Sequence, residues 1–287
     1  MKIRVPATSA NLGPGFDSCG VALDRYLFVE VIEDSETWLV SHELGADIPK
    51  DEKNLLVATA LQLAPELAPK HLKMTSDIPV TRGLGSSSSV IVAGIELANR
   101  LGNLNLSDAQ KIAYATKLEG HPDNVAPAVC GDLVIASAVD EQMDYVRHYF
   151  PPCDIIAFIP DAPLSTEKAR GALPSQLSFK EAVAASSVAN VMVAALVTGN
   201  LPAAGKLMEK DRFHENYRGP LVPHLQVIRE LAHEEGAYGC FLSGAGPTVL
   251  ILSPEDRSKK ILQLLKALEQ PAKVELMNVD REGVQVF

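Results

Sequence analysis

The stretch PVTRGLGSSSSVIVAGIELANRL, residues 79–101, places two glycines and four consecutive serines directly before an apolar segment. Positions 90, 94, 97 and 101 recur at helical spacing and Gly102 follows, which predicts a helix of about three to four turns after the serines. The first N–H groups of a helix lack intrahelical partners, and Gly83 and Gly85 let backbone approach a ligand closely. Phosphate binding is therefore favoured over the alternative, a capping serine followed by solvated turn residues.

Two common nucleotide-binding motifs do not describe this stretch. The segment GLGSSSS, residues 83–89, lacks the Lys-Ser/Thr ending of a Walker A loop. It also lacks the third glycine of the dinucleotide fingerprint. Any phosphate-binding role must therefore be supported by other parts of the chain.

The composition is that of a folded protein whose ligands are recognised by local motifs. The 287 residues are 47% hydrophobic and 22% charged, with a net charge of -10 and no run of Lys or Arg. Nucleic acid and anionic membrane surfaces are therefore not expected as partners. Four scattered cysteines and no secretory signal indicate reduced thiols in the cytoplasm. The longest apolar stretches, such as 183–197, contain Ser and Asn and are shorter than the roughly 18 residues of a membrane span, so a soluble protein is expected.

Helical and strand-like segments are mixed along the chain without strict βαβ alternation, which favours an α+β fold. Strands are predicted at residues 2–5 and 27–32. The FPP sequence at residues 150–152 is the best candidate boundary. Two domains are therefore predicted, at residues 1–150 and 151–287.

Two further glycine-containing loops lie near the ends of the chain. PATSANLGPGFDSCG, residues 6–20, is too rich in Gly, Pro, Asn and Ser to be predicted as helix or strand, and it contains Asn11 and Asp17. Ordinary turn chemistry is one explanation, but about ten polar loop residues are more than a hairpin requires. In FLSGAGPTVLIL, residues 241–252, the glycines form either a tight connection or a second wall of the same pocket.

A carboxylate and a polar turn follow at the end of a predicted helix. The helix begins at Ser107, with Gln110 in the capping-box position, and ends at Gly120. Glu119 lies on its inward face in the last turn, where burial and the helix dipole both disfavour a negative charge. Either a Lys or Arg salt bridge or a Mg2+ that accompanies a nucleotide would offset that cost. HPDN, residues 121–124, then offers a base, an acceptor and an amide, or simply a turn.

Together, the loops at residues 6–20, 79–89 and 243–248 resemble the motif set of the GHMP kinases, which comprise galactokinase, homoserine kinase, mevalonate kinase and phosphomevalonate kinase. The first and third loops resemble the homoserine-phosphorylating members in particular. The resemblance implies a two-lobed α+β GHMP kinase fold, with an N-terminal lobe like ribosomal protein S5 domain 2 and a ferredoxin-like C-terminal lobe. It implies transfer of the γ-phosphoryl group of ATP to the side-chain hydroxyl of L-homoserine, in threonine biosynthesis, with Mg2+ as cofactor. It also implies a homodimer.

The resemblance assigns roles to individual residues. It places Asn54 near the adenine, and it places Mg2+ on Glu119 and Ser87. The residues implied at the ATP phosphates are Pro79, Val80, Thr81, Arg82, Gly83, Leu84, Gly85, Ser86, Ser87, Ser88 and Ser89. The residues implied at the amino acid are Asn11, Asp17, His121, Asn124, Thr166, Arg170, Arg218 and Gly244. The catalytic residues beside the reacting hydroxyl would be His121, Asp123 and Asn124.

Within that set, Asp17 would pair with the substrate ammonium, while Thr166, Arg170 and Arg218 would hold its carboxylate through geometry that suits Arg. The segment EGHPDN departs from many homoserine kinases, because one glycine alone separates Glu119 from His121.

Two other functions compete with this interpretation. A GHMP kinase of the mevalonate type would have no reason to keep Asp17, Arg170 and Arg218 around one pocket. A non-catalytic metabolite sensor of the same fold predicts a damaged phosphate loop or a lost metal ligand, and the sequence shows neither.

Overall fold

A long hairpin starts the first sheet of the computed structural model, which describes residues 1–140 and 142–287. Strand β1 (Lys2–Ala10) pairs antiparallel with β2 (Cys19–Asp34), from Lys2 opposite Glu30 to Ala10 opposite Gly20. The prediction of a loop over residues 6–20 was therefore wrong at both ends. Pro6 is tolerated because the register shifts between Pro6 and Ala7, so the missing N–H falls at an irregularity of the ladder.

The first sheet has seven strands, and four helices lie between its strands in the sequence. Its order is β11-β1-β2-β4-β3, with β5 paired to β2 and β6 paired to β5. The remaining strands are β3 (Leu39–Ser41), β4 (Lys70–Ser76), β5 (Leu133–Val139), β6 (Gln142–His148) and β11 (Gln285–Val286). The helices are α1 (Leu55–Leu63), α2 (Ser86–Leu101), α3 (Asp108–Glu119) and α4 (Val125–Cys130).

The helix after the glycines begins earlier than predicted. Gly85 is the N-cap of α2 in a left-handed conformation (φ 68°), so all four serines belong to the first turn of the helix. The capping box at the start of α3 is confirmed, since Ser107 and Gln110 exchange the expected hydrogen bonds. Gly120 ends α3 in a left-handed conformation (φ 92°), which fixes Glu119 as its last residue.

The second sheet is antiparallel, in the order β10-β7-β9-β8. Its strands are β7 (Asp154–Pro160), β8 (Gly239–Leu242), β9 (Val249–Ser253) and β10 (Ala272–Met277). The helices of this half are α5 (Thr166–Gly171), α6 (Phe179–Val197), α7 (Leu201–Met208), α8 (Glu215–Arg218), α9 (Leu225–Glu234) and α10 (Glu255–Lys266).

Strand β7 separates two hydrophobic cores. Ile155 and Ala157 face the core that also contains the first sheet, whereas Ile156 and Phe158 face a core within the second half. This alternation is the period of two expected for a strand buried on both faces. The first core is therefore continuous between the two sheets. The division into domains 1–150 and 151–287 stays a prediction, and β11, from the end of the chain, pairs with β1.

One helix bears on the expectation about apolar segments. Because α6 begins at Phe179, it is 19 residues long and, by length and composition alone, apolar enough to cross a membrane. It reaches this length by including Lys180 and Glu181, so the apolar stretch itself stays shorter than the helix. One such helix is weak evidence for a membrane span; 22% of its most apolar stretch is buried, and Met192 and Leu196 lie in the first core.

Candidate active site

A single pocket lies where the three glycine-containing loops meet. The start of α2, the turn between α3 and α4, helix α5 and the loop after β8 surround it. The residues that line it are Ala10, Asn11, Asp17, Thr81, Gly83, Gly85, Ser86, Ser87, Ser88, Glu119, His121, Asp123, Asn124, Leu164, Thr166, Arg170, Arg218, Gly244 and Ala245. Every residue predicted to bind substrate, to act in catalysis or to hold the metal is therefore in one place.

Backbone forms the wall of this pocket at the start of α2. Gly83 and Gly85 both have positive φ angles, 77° and 68°. A Cβ atom on Gly85 would lie 2.0 Å from Oγ1 of Thr8, so the close packing against β1 requires glycine. The unpartnered N–H groups at the start of α2 adjoin this wall, which is the arrangement that binds phosphate.

The four serines have different environments. Ser86 is half-buried, Ser87 is exposed, and both line the pocket. Ser88 is buried and donates to Oε1 of Glu119 over 3.1 Å. Ser89 is fully buried and donates to the backbone carbonyls of Pro6 and Gly85, so its hydroxyl is committed to the fold.

Glu119 is a half-buried carboxylate beside Ser88 and His121. Burial raises its pKa, while the neighbouring His121 and the hydrogen bond from Ser88 act in the opposite direction. Within residues 1–140 and 142–287, no Lys or Arg forms a salt bridge with Glu119. The salt-bridge explanation of this carboxylate is therefore not supported, and the donor set of Glu119 with neighbouring serine hydroxyls fits a hard cation such as Mg2+.

His121 and Asp123 form a tight pair beside Glu119. Nδ1 of His121 lies 2.6 Å from Oδ1 of Asp123. Burial lowers the pKa of His121, but the hydrogen bond to Asp123 and its charge raise it by more, so the net shift is upward. Asn124 is fixed by Thr8, whose hydroxyl donates to its Oδ1 over 2.8 Å. Ligand atoms of Asp17, His121 and Asp123 lie within 4.8 Å of one another, which is a second donor set next to Glu119.

Opposite charges face each other on the substrate side of the pocket. Arg170 donates to both carboxylate oxygens of Asp17, at 2.8 and 3.2 Å. Asn11 is buried and joins two loops, since its Nδ2 donates to the carbonyl of Gly244 (3.0 Å) and its Oδ1 accepts from the N–H of Asp17 (3.1 Å). Arg218 is also buried, and burial together with the charge of Arg170 lowers its pKa.

Six residues predicted at the nucleotide do not line this pocket. Asn54 caps α1, with its Oδ1 accepting from the N–H of Leu56 (3.0 Å) and its Nδ2 donating to Pro49 (2.6 Å). Arg82 donates to the carbonyls of Pro160 and Asp161, which ties the loop to the second half of the molecule. The other residues outside the lining are Pro79, Val80, Leu84 and Ser89.

Three residues near the site were not found from the sequence. Thr8 holds Asn124, and Phe16 and His214 pack behind the arginines. Thr8 lies in a segment that was interpreted as loop. Phe16 and His214 meet across about two hundred residues, and no local periodicity reports such a contact.

This fold and this pocket define a GHMP kinase. The family model "GHMP kinases N terminal domain" matches residues 54–132, and "GHMP kinases C terminal" matches residues 192–269. The two-lobed α+β GHMP kinase fold is therefore confirmed.

More specifically, the chain belongs to the homoserine kinase family. A homoserine kinase from Enterococcus faecalis is 63% identical to it, with all of both chains covered. A solved structure from Listeria monocytogenes, provisionally assigned as a homoserine kinase, has a TM-score of 0.89 at 51% identity and covers 100% of this chain and 98% of that one. The crystal structure of homoserine kinase from Cytophaga hutchinsonii has a TM-score of 0.88 at 28% identity and covers 100% and 97%.

Proposed function

We propose that this chain transfers the γ-phosphoryl group of ATP to the side-chain hydroxyl of L-homoserine, giving O-phospho-L-homoserine and ADP. Its relatives that carry this function align along the whole chain. One structural observation carries the choice of acceptor: Asp17 and Arg170 form a bidentate ion pair in the pocket that the phosphate loop lines. An α-amino acid is a zwitterion, so its ammonium and its carboxylate can each replace one partner of this pair, whereas a hydroxy acid brings no cation for Asp17 and a sugar brings neither charge.

The ATP phosphates lie, in this proposal, against the backbone of Gly83 and Gly85 and the N-terminal turn of α2. Glu119 and Ser87 would hold Mg2+, and Ser88 would orient the carboxylate of Glu119 through its hydrogen bond. When bound, Mg2+ would neutralise charge on the transferring phosphate. The side-chain amide of Asn54 already forms hydrogen bonds with Pro49 and Leu56, so Asn54 would act at the adenine indirectly, by capping α1.

The substrate is held by its charges and oriented by the turn after α3. Asp17 pairs with the ammonium group, and Arg170, Arg218 and Thr166 bind the carboxylate. The hydroxyl then lies beside His121, Asp123 and Asn124. Because Asp123 already forms a hydrogen bond of 2.6 Å with His121, we propose that it orients the substrate and does not abstract its proton.

An assay of ADP release tests this function directly. With L-homoserine, mevalonate and galactose supplied separately, we expect turnover of L-homoserine alone. Turnover of mevalonate alone would contradict the proposal in favour of another GHMP kinase. Absence of turnover with every acceptor would favour a metabolite sensor.

Replacing Asp123 tests its role. We expect Asp123→Asn to lower kcat by about tenfold, since an orienting group contributes less than the 10²–10⁴-fold of a general base. We also expect the pKa of His121 to fall, because Asp123 is what raises it. Steady-state kinetics and NMR titration of His121 measure the two effects. A loss of many orders of magnitude in kcat with unchanged KM for homoserine would show that Asp123 is a base after all.

We propose a cytoplasmic enzyme without nucleic-acid or membrane partners, supported by the net charge of -10. A homodimer is proposed as well, and sedimentation velocity measures it directly.

A further inference from the structure

The imidazole of His214 lies next to Arg218, which lines the pocket. The side chain is completely buried, directly before α8. Its Nε2 is 2.9 Å from the carbonyl oxygen of Gly13, in the loop between β1 and β2. Its Nδ1 is 3.3 Å from Nη1 of Arg218. One ring therefore contacts both the loop that carries Asp17 and the arginine at the substrate.

These contacts fix the protonation of the ring. A carbonyl oxygen only accepts hydrogen bonds, so Nε2 of His214 carries the hydrogen, and a guanidinium only donates, so Nδ1 is the acceptor. Burial and the charge of Arg218 lower the pKa of His214, although the nearby carboxylate of Asp211 raises it. The neutral form with hydrogen on Nε2 satisfies both partners at once.

Phe16 contacts His214 and both arginines of the pocket. Its ring stacks on His214, with centroids 5.3 Å apart and an angle of 24° between the planes. The guanidinium carbons of Arg218 and Arg170 lie 5.3 and 5.6 Å from the centroid of Phe16. Stacked aromatic and cation–π contacts of this kind favour one placement of each charged group.

The guanidinium of Arg218 is held by protein groups on one side. Its Nε donates to the carbonyl of Ala169 (3.3 Å), and its Nη1 donates to Gly244 (3.2 Å) and to His214. Among the residues that the structure describes, none accepts a hydrogen bond from Nη2 of Arg218. Since Arg218 lines the pocket, that nitrogen is available to an anion there.

We propose that His214, together with Phe16, is a positioning residue. It holds the guanidinium of Arg218 at a fixed distance and orientation from the loop that carries Asp17. The carboxylate and the ammonium of the substrate are then recognised at a defined separation. This inference rests on the proposed function, since it requires an α-amino acid as acceptor. His214 itself does not contact the substrate.

The test compares two ligands that differ by the carboxylate alone. L-Homoserine is measured by its KM, and 3-amino-1-propanol, the same chain without the carboxylate, by its Ki as a competitor. His214→Gln keeps a donor for Gly13 and loses the acceptor for Arg218, whereas His214→Asn does the reverse. For both variants we expect the KM of homoserine to rise at least tenfold, with the Ki of the amino alcohol and the KM of ATP changed less than about threefold.

His224→Gln is the matched control. His224 is also buried, with its Nε2 2.9 Å from the carbonyl of Pro247 and an aromatic neighbour, Phe158, at 5.5 Å. The hydrogen-bond and aromatic partners of its ring among the described residues are Pro247, Gln270 and Phe158, and none of these belongs to the loop between β1 and β2. Its replacement should lower stability and leave unchanged the ratio of the KM of homoserine to the Ki of 3-amino-1-propanol.

The outcomes separate this inference from the function on which it rests. If wild-type protein binds 3-amino-1-propanol as tightly as homoserine, carboxylate recognition and the proposed acceptor fail. If the wild type binds homoserine more tightly than 3-amino-1-propanol and both His214 variants keep the same preference, the positioning role is overturned. Should both variants fail to fold, Phe16→Leu carries the test: the same rise in the KM of homoserine is expected, and an unchanged ratio overturns the inference.

Discussion

Glu119→Gln is expected to lower kcat by about a thousandfold, the upper range for loss of one group that stabilises transition-state charge. The amide keeps the shape of the side chain but cannot supply the negative charge that a divalent cation requires. Glu119 is half-buried, and among the described residues no Lys or Arg forms a salt bridge with it, so its charge is free for the cation. The concentration of Mg2+ for half-maximal activity should rise in parallel.

The same substitution has a second effect that activity does not report. Burial raises the pKa of Glu119, so its ionised form opposes folding at pH values above the ordinary value of 4.5. Without metal, Glu119→Gln should therefore unfold at higher temperature than the wild type at pH 8, and this advantage should disappear as the pH falls below about 4.5. Added Mg2+ should raise the melting temperature of the wild type alone.

Glu96→Gln is the control for this experiment. Glu96 on α2 is more deeply buried than Glu119, and it pairs with Arg100 at 2.6 Å and Lys111 at 2.8 Å. Its replacement removes the ion-pair partner of Arg100 and leaves Lys111 with Asp108 alone, at 3.5 Å, so it should destabilise the protein without changing the Mg2+ requirement. If Glu119→Gln instead lost stability and kept its response to Mg2+, the metal assignment would be wrong.

The second large effect is expected for Gly83→Ala. A Cβ atom at this position would lie 2.3 Å from the carbonyl oxygen of Ser243 and 2.8 Å from that of Gly246. Both atoms belong to backbone, so the phosphate loop and the loop after β8 must move apart. We expect the free energy of unfolding to fall by about 3 kcal/mol or more, at the upper end for local backbone strain. We expect kcat/KM for ATP to fall by about a hundredfold, because displacement of positioning groups by about 1 Å costs that much.

Gly199→Ala separates backbone strain from close packing. Gly199 has a φ of 76°, against 77° for Gly83, but nothing lies within 4 Å of its Cβ position. It should lose about 1 kcal/mol of stability and no activity. Urea unfolding of the two variants measures the difference. Equal losses would mean that contact between the phosphate loop and the loop after β8 contributes nothing.

The sequence predicted those parts of the site that depend on local chemistry. The capping box at Ser107 and the glycine at 120 fixed the two ends of α3, and Glu119, in its last turn, lines the pocket. The glycines at 83 and 85 were interpreted as part of a phosphate site because they let backbone approach a ligand closely, next to the free N–H groups of a helix start. The resemblance then assigned each loop to a substrate.

The parts that the sequence did not predict depend on distant contacts or on competition between weak preferences. Residues 6–10 look like loop by composition, but pairing with β2 overrides that preference. The first turn of α2 includes four serines, which are poor helix formers, because Gly85 begins the helix and Ser88 and Ser89 find buried partners. His214 has no motif of its own, since its role arises from Gly13 and Arg218.

Strand β11 has a consequence for the order in which the molecule is completed. It supplies the outer partner of β1, through Val286 opposite Ile3, and Lys2 and Phe287 exchange two backbone hydrogen bonds. The ribosome makes β1 before β11, and the whole second sheet lies between them in the chain. During synthesis, this edge of β1 therefore has unpaired N–H and C=O groups until β11 emerges, and an exposed strand edge is open to pairing with other chains. The first sheet acquires this strand only after the strands of the second sheet have been translated.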